Sequence, residues 1–301
     1  MDYGRFQSKA EARTGFVSFA VAFLLTVSAQ AQSLTVTNNL VLWLKPETLA
    51  LTNGAAVNFW ADSSTNQNDA VSLSGPGAPT YVANGINGRP SVQFDGTTDF
   101  LALTNKVDPI YGPRVRLPSG LTLIAVFRTF SADTGRDYPG NAPQTLIGDN
   151  TGATYSEFGL NGGKGEYNHY VTGWNYVDGT TPLNNTNGVP GHYLIATHRP
   201  SDGLAKLYAD GSLQATTNLA YQTTYTAISR ISGGYINGSG TGDLFNGLIA
   251  EVLVYGGALS DVDRLSVQDY LNFKYAIPEP TVGILVTIGL LVLTRRTRSK
   301  L

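Results

Sequence analysis

The carboxylates of this chain are spaced unfavourably for paired acid–base chemistry. Glycoside cleavage uses two carboxyl groups roughly 5–5.5 Å apart for retention and roughly 6.5–9.5 Å apart for inversion. A strand presents such a pair when two acids stand two or four residues apart. Residues 32–275 contain only four glutamates, which are Glu47, Glu157, Glu166 and Glu251. None has a second acid at that spacing on its predicted strand, so we predict no catalytic residues and no enzymatic activity. Glu251 lies in an apolar strand and is interpreted as structural.

Four aspartates have the hard oxygen ligands that calcium prefers. They are Asp62, Asp69, Asp95 and Asp99. Asp95 and Asp99 are four residues apart, but Gly96 interrupts the strand between them. Because the chain has no dense D-x-D-x-D run, the favoured interpretation is that each aspartate caps its own turn. Calcium stays as the only candidate cofactor.

An aromatic stretch between Asp149 and His192 is the candidate ligand site. Its members are Tyr155, Tyr167, Tyr170, Trp174 and Tyr176, which stand among glycines and asparagines. Aromatic faces beside amide side chains can hold sugar rings by stacking and hydrogen bonding. The alternative is that these aromatics pack a long loop or alternate into the core of a strand pair.

Other site chemistries are disfavoured. His192 and His198 are six residues apart on one predicted strand, roughly 20 Å at 3.3 Å per residue, and His169 stands alone, so we predict no histidine metal site. The chain has no cysteine, which excludes disulfides and thiol catalysis. Residues 32–275 contain 13 Lys and Arg against 19 Asp and Glu. This mildly acidic balance offers no electrostatic surface for nucleic acid.

The first 31 residues have the three parts of a secretory signal. A basic, polar start is followed by an apolar run at 16–27, and then Ala29 and Ala31 supply the small residues that signal peptidase reads. We therefore predict that residues 1–31 are a signal peptide and that the mature chain begins at Gln32. The alternative is a short buried helix.

The C-terminal residues 276–301 combine three features. They are the tripeptide Pro278, Glu279 and Pro280, an apolar run at 281–294, and a basic end that includes Arg295 and Arg296. The run is shorter than the roughly 20 residues that span a bilayer, and the basic end favours the cytoplasmic side. We predict a transmembrane segment at 281–294.

This combination resembles a PEP-CTERM sorting signal. The resemblance implies export through the inner membrane of a Gram-negative, often polysaccharide-producing bacterium. It also implies recognition and cleavage near the tripeptide by an exosortase, a membrane protease-transpeptidase. A permanent C-terminal anchor is the alternative.

Between these ends the hydrophobic pattern predicts an all-β domain with one helix. Strands are predicted at 40–44, 91–95, 121–130, 193–197 and 248–255, with a hairpin at 205–216. Asp210-Gly211 is the turn signal of that hairpin. Ser260 is the predicted N-cap of a helix whose apolar residues recur at helical spacing up to Tyr275.

The order of these segments resembles the LamG-like jelly-roll domains of the concanavalin A-like lectin/glucanase superfamily. The residues that carry the resemblance are 42–47 (LWLKPE), 59–64 (FWADSS), 84–96 (NGINGRPSVQFDG), 99–101 (DFL), 245–255 (FNGLIAEVLVY) and 258–260 (ALS). It covers nearly all of residues 32–275. It implies a jelly-roll β-sandwich and a surface or secreted module that binds carbohydrate or matrix. A glycan-active enzyme and a structural surface protein without a small ligand are the alternatives.

Overall fold

The computed structural model describes most of the chain between residues 33 and 277. The described ranges are 33–73, 77–103, 107–108, 112–131, 144–149, 156–169, 175–183, 191–224, 226–233 and 243–277. The chain divides into two compact units, residues 1–31 and 32–301, and all described residues belong to the second. The predicted signal peptide with Ala29 and Ala31, and the sorting tail from Pro278 onward, lie outside the described residues.

The described residues form twenty strands and one α-helix. In chain order the elements are β1 (Leu40–Leu44), β2 (Phe59–Trp60), β3 (Ala70–Val71), β4 (Thr80–Ile86), β5 (Arg89–Asp95), β6 (Leu101–Leu103), β7 (Val107–Asp108), β8 (Gly112–Pro113), β9 (Val115–Arg116), β10 (Leu121–Thr129), β11 (Gln144–Gly148), β12 (Ser156–Asn161), β13 (Lys164–His169), β14 (Tyr176–Pro182), β15 (His192–His198), β16 (Leu204–Ala209), β17 (Ser212–Asn218), β18 (Ala227–Ile228), β19 (Arg230–Ile231), β20 (Asn246–Tyr255) and α1 (Asp261–Tyr275). A short 3₁₀ turn covers Pro46–Thr48.

Two eight-stranded sheets make up the sandwich. Sheet A has the order β17-β16-β15-β10-β20-β5-β4, with β1 also paired to β20, and sheet B has the order β14-β13-β12-β11-β19-β6-β3-β2. Strands β9 and β18 form one small antiparallel pair, and β7 and β8 form another. The predicted all-β sandwich is therefore confirmed.

Strand β20 pairs with three other strands of sheet A. It pairs along its length with β10 on one side. Its other side is shared, because β5 pairs with its first half through Asn246 to Ile249 and β1 with its second half through Val252 to Tyr255. This arrangement brings the chain's first and last described strands together.

The main core lies between the sheets, and a second core lies on the outer face of sheet A. In β10, Leu123 and Phe127 belong to the first core, while Ile124 and Val126 belong to the second. Burial on both faces explains why β10 reads as an uninterrupted apolar run. Helix α1 covers the outer face with Val267, Tyr270, Leu271 and Tyr275.

The helix begins where the sequence predicts. The Ser260 hydroxyl accepts a hydrogen bond from the Asp263 amide at 3.1 Å, as an N-cap does. Ala276 ends the helix in the left-handed conformation with φ of 48°. No helix within the described ranges is long and apolar enough to cross a membrane. The predicted segment 281–294 lies outside them.

Candidate functional site

The outer face of sheet B at its β14 edge is the candidate site. Strands β12, β13 and β14 are consecutive hairpin partners there. Gly162 and Gly163 form the first turn with positive φ values of 60° and 68°, a conformation that glycine adopts without strain. Since strand side chains alternate between faces, Phe158, Tyr167 and Val177 enter the core. Their neighbours present a polar outer face.

Two glutamates on this face converge on one amide. Asn168 Nδ2 donates to Glu157 Oε2 at 2.7 Å and lies 3.5 Å from Glu166 Oε1. Asn161 Nδ2 donates to the other Glu166 oxygen at 2.7 Å. Glu157, Glu166 and Asn168 are 5%, 3% and 1% exposed, and Asn168 Oδ1 has no hydrogen-bond partner. The spacing of the glutamates in the sequence does not reveal this pair, because its members lie on neighbouring strands rather than on one.

The rim of the same face is more accessible. Glu166 stands opposite Asp178 and Asn168 stands opposite Tyr176 in the β13–β14 ladder. Asp178 is exposed and Tyr176 is half-buried. The rim therefore combines an aromatic ring with a carboxylate, backed by an amide and a second carboxylate.

Asp243 adds a titratable carboxyl to this region. It precedes β20 and is half-buried. Burial and, second, the negative charge of Glu157 raise the pKa of Asp243 from its ordinary 3.8 to about 7. The Asp243 carboxyl therefore changes its protonation state near neutral pH. No sequence signal indicated this residue, since it stands 86 positions from Glu157.

Farther along sheet B, at β19, aromatic and apolar side chains replace the carboxylates and amides. Strand β19 places the Arg230 guanidinium over the Phe100 ring, 4.4 Å from its centroid. Phe100 packs with Ala102 and Leu244 in a small apolar cluster. Burial lowers the pKa of Arg230 to about 10, against the opposing effect of Asp149. At β19 the described face thus pairs a cation with an apolar cluster, unlike the carboxylate and amide side chains of β12 and β13.

Of the five predicted ligand-binding aromatics, Tyr167 is a core residue. It is fully buried, and its hydroxyl lies 3.0 Å from His198 Nδ1. Burial, followed by the neighbouring Tyr221, raises its pKa well above the ordinary value. A ligand cannot stack on this ring in the described structure, because the ring faces the opposite sheet. Tyr176 lies on the outer face. Tyr155, Tyr170 and Trp174 lie outside the described residues, and their role stays a prediction.

The prediction that His169 stands alone is wrong. Its ring meets that of His198 edge to face across the sandwich, with centroids 5.5 Å apart. The two rings meet because His169 is the last residue of β13 in sheet B and His198 is the last residue of β15 in the facing sheet A. Tyr221 packs against both rings. Within the described ranges, no three His, Cys, Asp or Glu side chains are grouped as a metal site.

The carboxylate of Asp62 holds a turn together. Its Oδ1 accepts from the amides of Trp43 and Ser64, both at 2.8 Å, and its Oδ2 accepts from the Asn68 amide at 2.9 Å. Asp69 Oδ1 in turn accepts from the Asp62 amide at 2.8 Å. These contacts are those of aspartates that cap loops.

Asp95 behaves in the same way in a second turn. Its Oδ1 accepts from the amides of Thr97, Thr98 and Asp99 at 2.8–2.9 Å. Burial would raise the pKa of Asp95, but the hydrogen bonds from Thr97, Thr98 and Asp99 outweigh it and hold the pKa well below its usual range. Burial and the charge of Asp95 raise the pKa of Asp99. Calcium binding by these four aspartates stays the alternative to turn capping.

Glu251 is enclosed by donors. Trp43 Nε1 and the Tyr270 hydroxyl donate to Oε1 at 2.5 and 2.8 Å, and Lys274 Nζ and the Tyr275 hydroxyl donate to Oε2 at 2.8 and 2.9 Å. The glutamate itself is 0% exposed. It joins β1, β20 and α1, which fits the structural interpretation of this residue.

Comparison with known proteins shows that part of the chain is similar to a described family. Residues 115–263 match a family model described as Concanavalin A-like lectin/glucanases superfamily. That range runs from β9 to the first turn of α1 and leaves the opening segments of the predicted resemblance outside it. No curated protein matches this chain.

Solved structures are similar in fold. The binding domain of botulinum neurotoxin serotype D has a TM-score of 0.52 at 13% identity, over 77% of this chain and 50% of that one. The binding domain of Paraclostridial Mosquitocidal Protein 1 has a TM-score of 0.50 at 12% identity, over 78% and 52%. Domain 4 of AbnA, a GH43 extracellular arabinanase from Geobacillus stearothermophilus solved with arabinotriose, has a TM-score of 0.48 at 15% identity, over 77% and 98%.

Proposed function

We propose that this chain is an exported, lectin-like module that binds carbohydrate or matrix polysaccharide without cleaving it. The observation that carries the proposal is the contrast between the two outer faces of the sandwich. An apolar core beneath α1 covers the face of sheet A. The edge of sheet B instead presents Tyr176 and Asp178 beside Glu166 and Asn168.

These side chains match the chemistry of a sugar ring. The half-buried Tyr176 offers a ring face for stacking, and the exposed Asp178 accepts hydrogen bonds from sugar hydroxyls. Asn168 stands directly across the ladder from Tyr176 but is only 1% exposed, so a ligand at this rim contacts Tyr176 and Asp178. Well-placed polar groups beside an aromatic ring fix the orientation of a small ligand in a binding site.

Glycan hydrolysis is the second candidate, and Glu157 and Glu166 favour it because both lie within 3.5 Å of Asn168 Nδ2. Asp243, with a pKa of about 7 beside Glu157, is suited to donate a proton near neutral pH. We rank binding above hydrolysis because both glutamates are at least 95% buried and already accept hydrogen bonds from asparagine amides.

A glycan array followed by calorimetry tests the proposal. We expect the purified protein to retain specific oligosaccharides, and Tyr176→Ala to weaken binding about tenfold, the effect of losing one stacking contact. Asp178→Asn should weaken it too. Asp269→Asn, an exposed helix aspartate, is the matched control and should change nothing. An empty array with and without calcium would favour the third alternative, a structural surface protein.

The same protein is assayed for release of reducing sugar from the glycans it retains. We expect none. Turnover that Glu157→Gln abolishes would replace binding by hydrolysis as the function.

Export and sorting complete the proposal. The proposed path uses signal peptidase to release residues 1–31 and an exosortase-type enzyme to cut near Glu279. The inner membrane holds the chain through 281–294 in the interval. The destination is the cell surface or extracellular matrix of a Gram-negative bacterium, where polysaccharide is the expected partner. The support for this path is the sequence pattern of the two ends.

A further inference from the structure

A cleft of about 250 Å³ opens beside the N-terminus of α1, on the outer face of sheet A. Strands β15 and β16 form its floor, and the loop before α1 forms one wall. Its lining includes three cationic side chains, Arg199, Lys206 and Arg264, together with Tyr208. None of these residues belongs to the candidate site on sheet B.

Arg264 is the deepest cation of the cleft. It is 8% exposed, and its guanidinium lies over the Tyr208 ring, 4.1 Å from the centroid. Its Nη1 donates to Gln268 Oε1. Its Nε has no hydrogen-bond partner, and the nearest carboxylate oxygen, Asp261 Oδ1, is 3.5 Å away. A buried N–H donor without an acceptor is costly, so this position favours an incoming anion.

The carboxylate of Asp261 occupies the position of such an anion, but its contacts with the two cations are long. Its Oδ1 lies 3.5 Å from Arg264 Nε and 3.7 Å from Lys206 Nζ, both longer than a normal hydrogen bond. The Asp261 side chain is 67% exposed and that of Lys206 is 28% exposed. Both can therefore move aside or exchange partners without unpacking the domain.

Two further features make the cleft positive. Arg199 adds a third cation, although Asp202 pairs with it at 2.5 Å. The 15-residue helix α1 also directs its N-terminal amides toward this end, where the helix dipole favours negative charge. The three cations outnumber Asp202 and Asp261.

We propose that this cleft binds the carboxylate of a uronic acid residue, so that the protein recognises an acidic polysaccharide. The carboxylate takes the place of Asp261 between Lys206 and Arg264. The cleft is smaller than the roughly 300–1,000 Å³ of sites for drug-sized ligands and fits a single sugar ring. This inference rests on the proposed carbohydrate binding and adds a second contact point on the opposite sheet.

Calorimetry of the full chain at low salt, with D-glucuronate as probe, tests the proposal. We expect Lys206→Gln to weaken binding about fivefold, the equivalent of one exposed ion pair of about 1 kcal/mol. We expect Asp261→Asn to strengthen binding by a similar factor, because it removes the internal competitor. Arg89→Gln, an exposed arginine on β5 that does not line the cleft, is the control and should leave the affinity unchanged.

The control variant distinguishes a cleft site from general electrostatics, because an exposed cation outside the cleft matters as much as Lys206 only if net charge alone sets the affinity. If all three variants change affinity in proportion to net charge, or if glucuronate does not bind the wild-type chain, the proposal is wrong. Inorganic sulfate and acetate are the comparison probes. If either binds as tightly as glucuronate, the cleft is a simple anion site and the assignment to a uronic acid is overturned.

A neutral oligosaccharide separates this inference from the proposed function. Neutral binding that depends on Tyr176, without any glucuronate binding, would overturn the inference alone. Glucuronate binding that depends on Lys206, without neutral binding, would overturn the sheet B site alone.

Discussion

His169 Nε2 lies 3.3 Å from the Thr226 hydroxyl, and His198 Nε2 lies 3.1 Å from the Leu219 carbonyl. The Thr226 hydroxyl donates its proton to the Gln222 carbonyl at 2.7 Å and a carbonyl can only accept, so each histidine donates through Nε2. Each Nδ1 accepts from a hydroxyl, Ser156 at 2.9 Å and Tyr167 at 3.0 Å. Both rings are therefore satisfied as neutral imidazoles. Burial, then mutual repulsion, lowers the pKa of His169 to about 3, and burial lowers that of His198 to about 4.

We predict that this pair makes the domain acid-sensitive. Below pH 6.5 these histidines become protonated in the unfolded chain but stay neutral in the folded one. Their contribution to the free energy of unfolding is therefore fully present above pH 6.5 and is lost as the pH falls toward 4. Each histidine contributes up to about 1.4 kcal/mol per pH unit. Urea unfolding between pH 7.5 and 4.5 measures this slope.

The variants His169→Gln and His198→Gln should show a smaller slope than the wild type, although both lower stability at pH 7.5. His192→Gln is the control, because His192 pairs with Asp210 at 2.6 Å outside this cluster. Parallel slopes for wild type and all three variants would contradict the prediction.

We predict that Glu251→Gln destabilises the domain by about 3 kcal/mol. The change removes the negative charge that faces Lys274. It also places the amide N–H of glutamine next to the hydroxyl and indole groups that donate to the glutamate. Breaking a buried charged pair costs roughly 3–5 kcal/mol. Glu47→Gln is the matched control, since Glu47 contacts the same lysine at 3.0 Å but its side chain is 32% exposed. We expect that control to cost about 1 kcal/mol or less. Chemical unfolding measures both variants. If both lose the same free energy of unfolding, the burial of Glu251 does not contribute to stability and the prediction is wrong.

We predict that EDTA leaves the thermal midpoint unchanged. Asp62 and Asp95 already accept three or more hydrogen bonds each, so calcium would have to displace protein donors. Differential scanning calorimetry with EDTA and then with added calcium measures this. A calcium-dependent rise that Asp95→Asn removes would instead identify a calcium site.

We predict that the C-terminal tail is a temporary anchor. Deleting residues 278–280 while keeping 281–301 should trap the protein in the inner membrane, because the exosortase-type cleavage needs an extended, proline-bounded segment. Mass spectrometry of membrane and extracellular fractions measures both ends of the chain. The wild-type product should begin at Gln32 and lack Leu301. Identical fractionation of both forms, each with Leu301, would indicate a permanent anchor.

The sequence by itself determined the elements whose signals are local. The apolar runs of β1, β10 and β20 predict buried strands, and Ser260 predicts the start of α1, because capping and periodicity depend on residues a few positions apart. The hairpin at Asp210-Gly211 follows from the same kind of local turn chemistry.

Only the tertiary structure decided which of these residues meet. Glu157 and Glu166 share an amide, His169 faces His198, and Trp43 reaches Glu251 across 208 positions. Each contact depends on which strands are neighbours and in which register, and a sheet joins strands without regard to their distance in the chain. Side-chain alternation indicates the face on which a residue lies. The partner across that face depends on the packing of the whole sandwich.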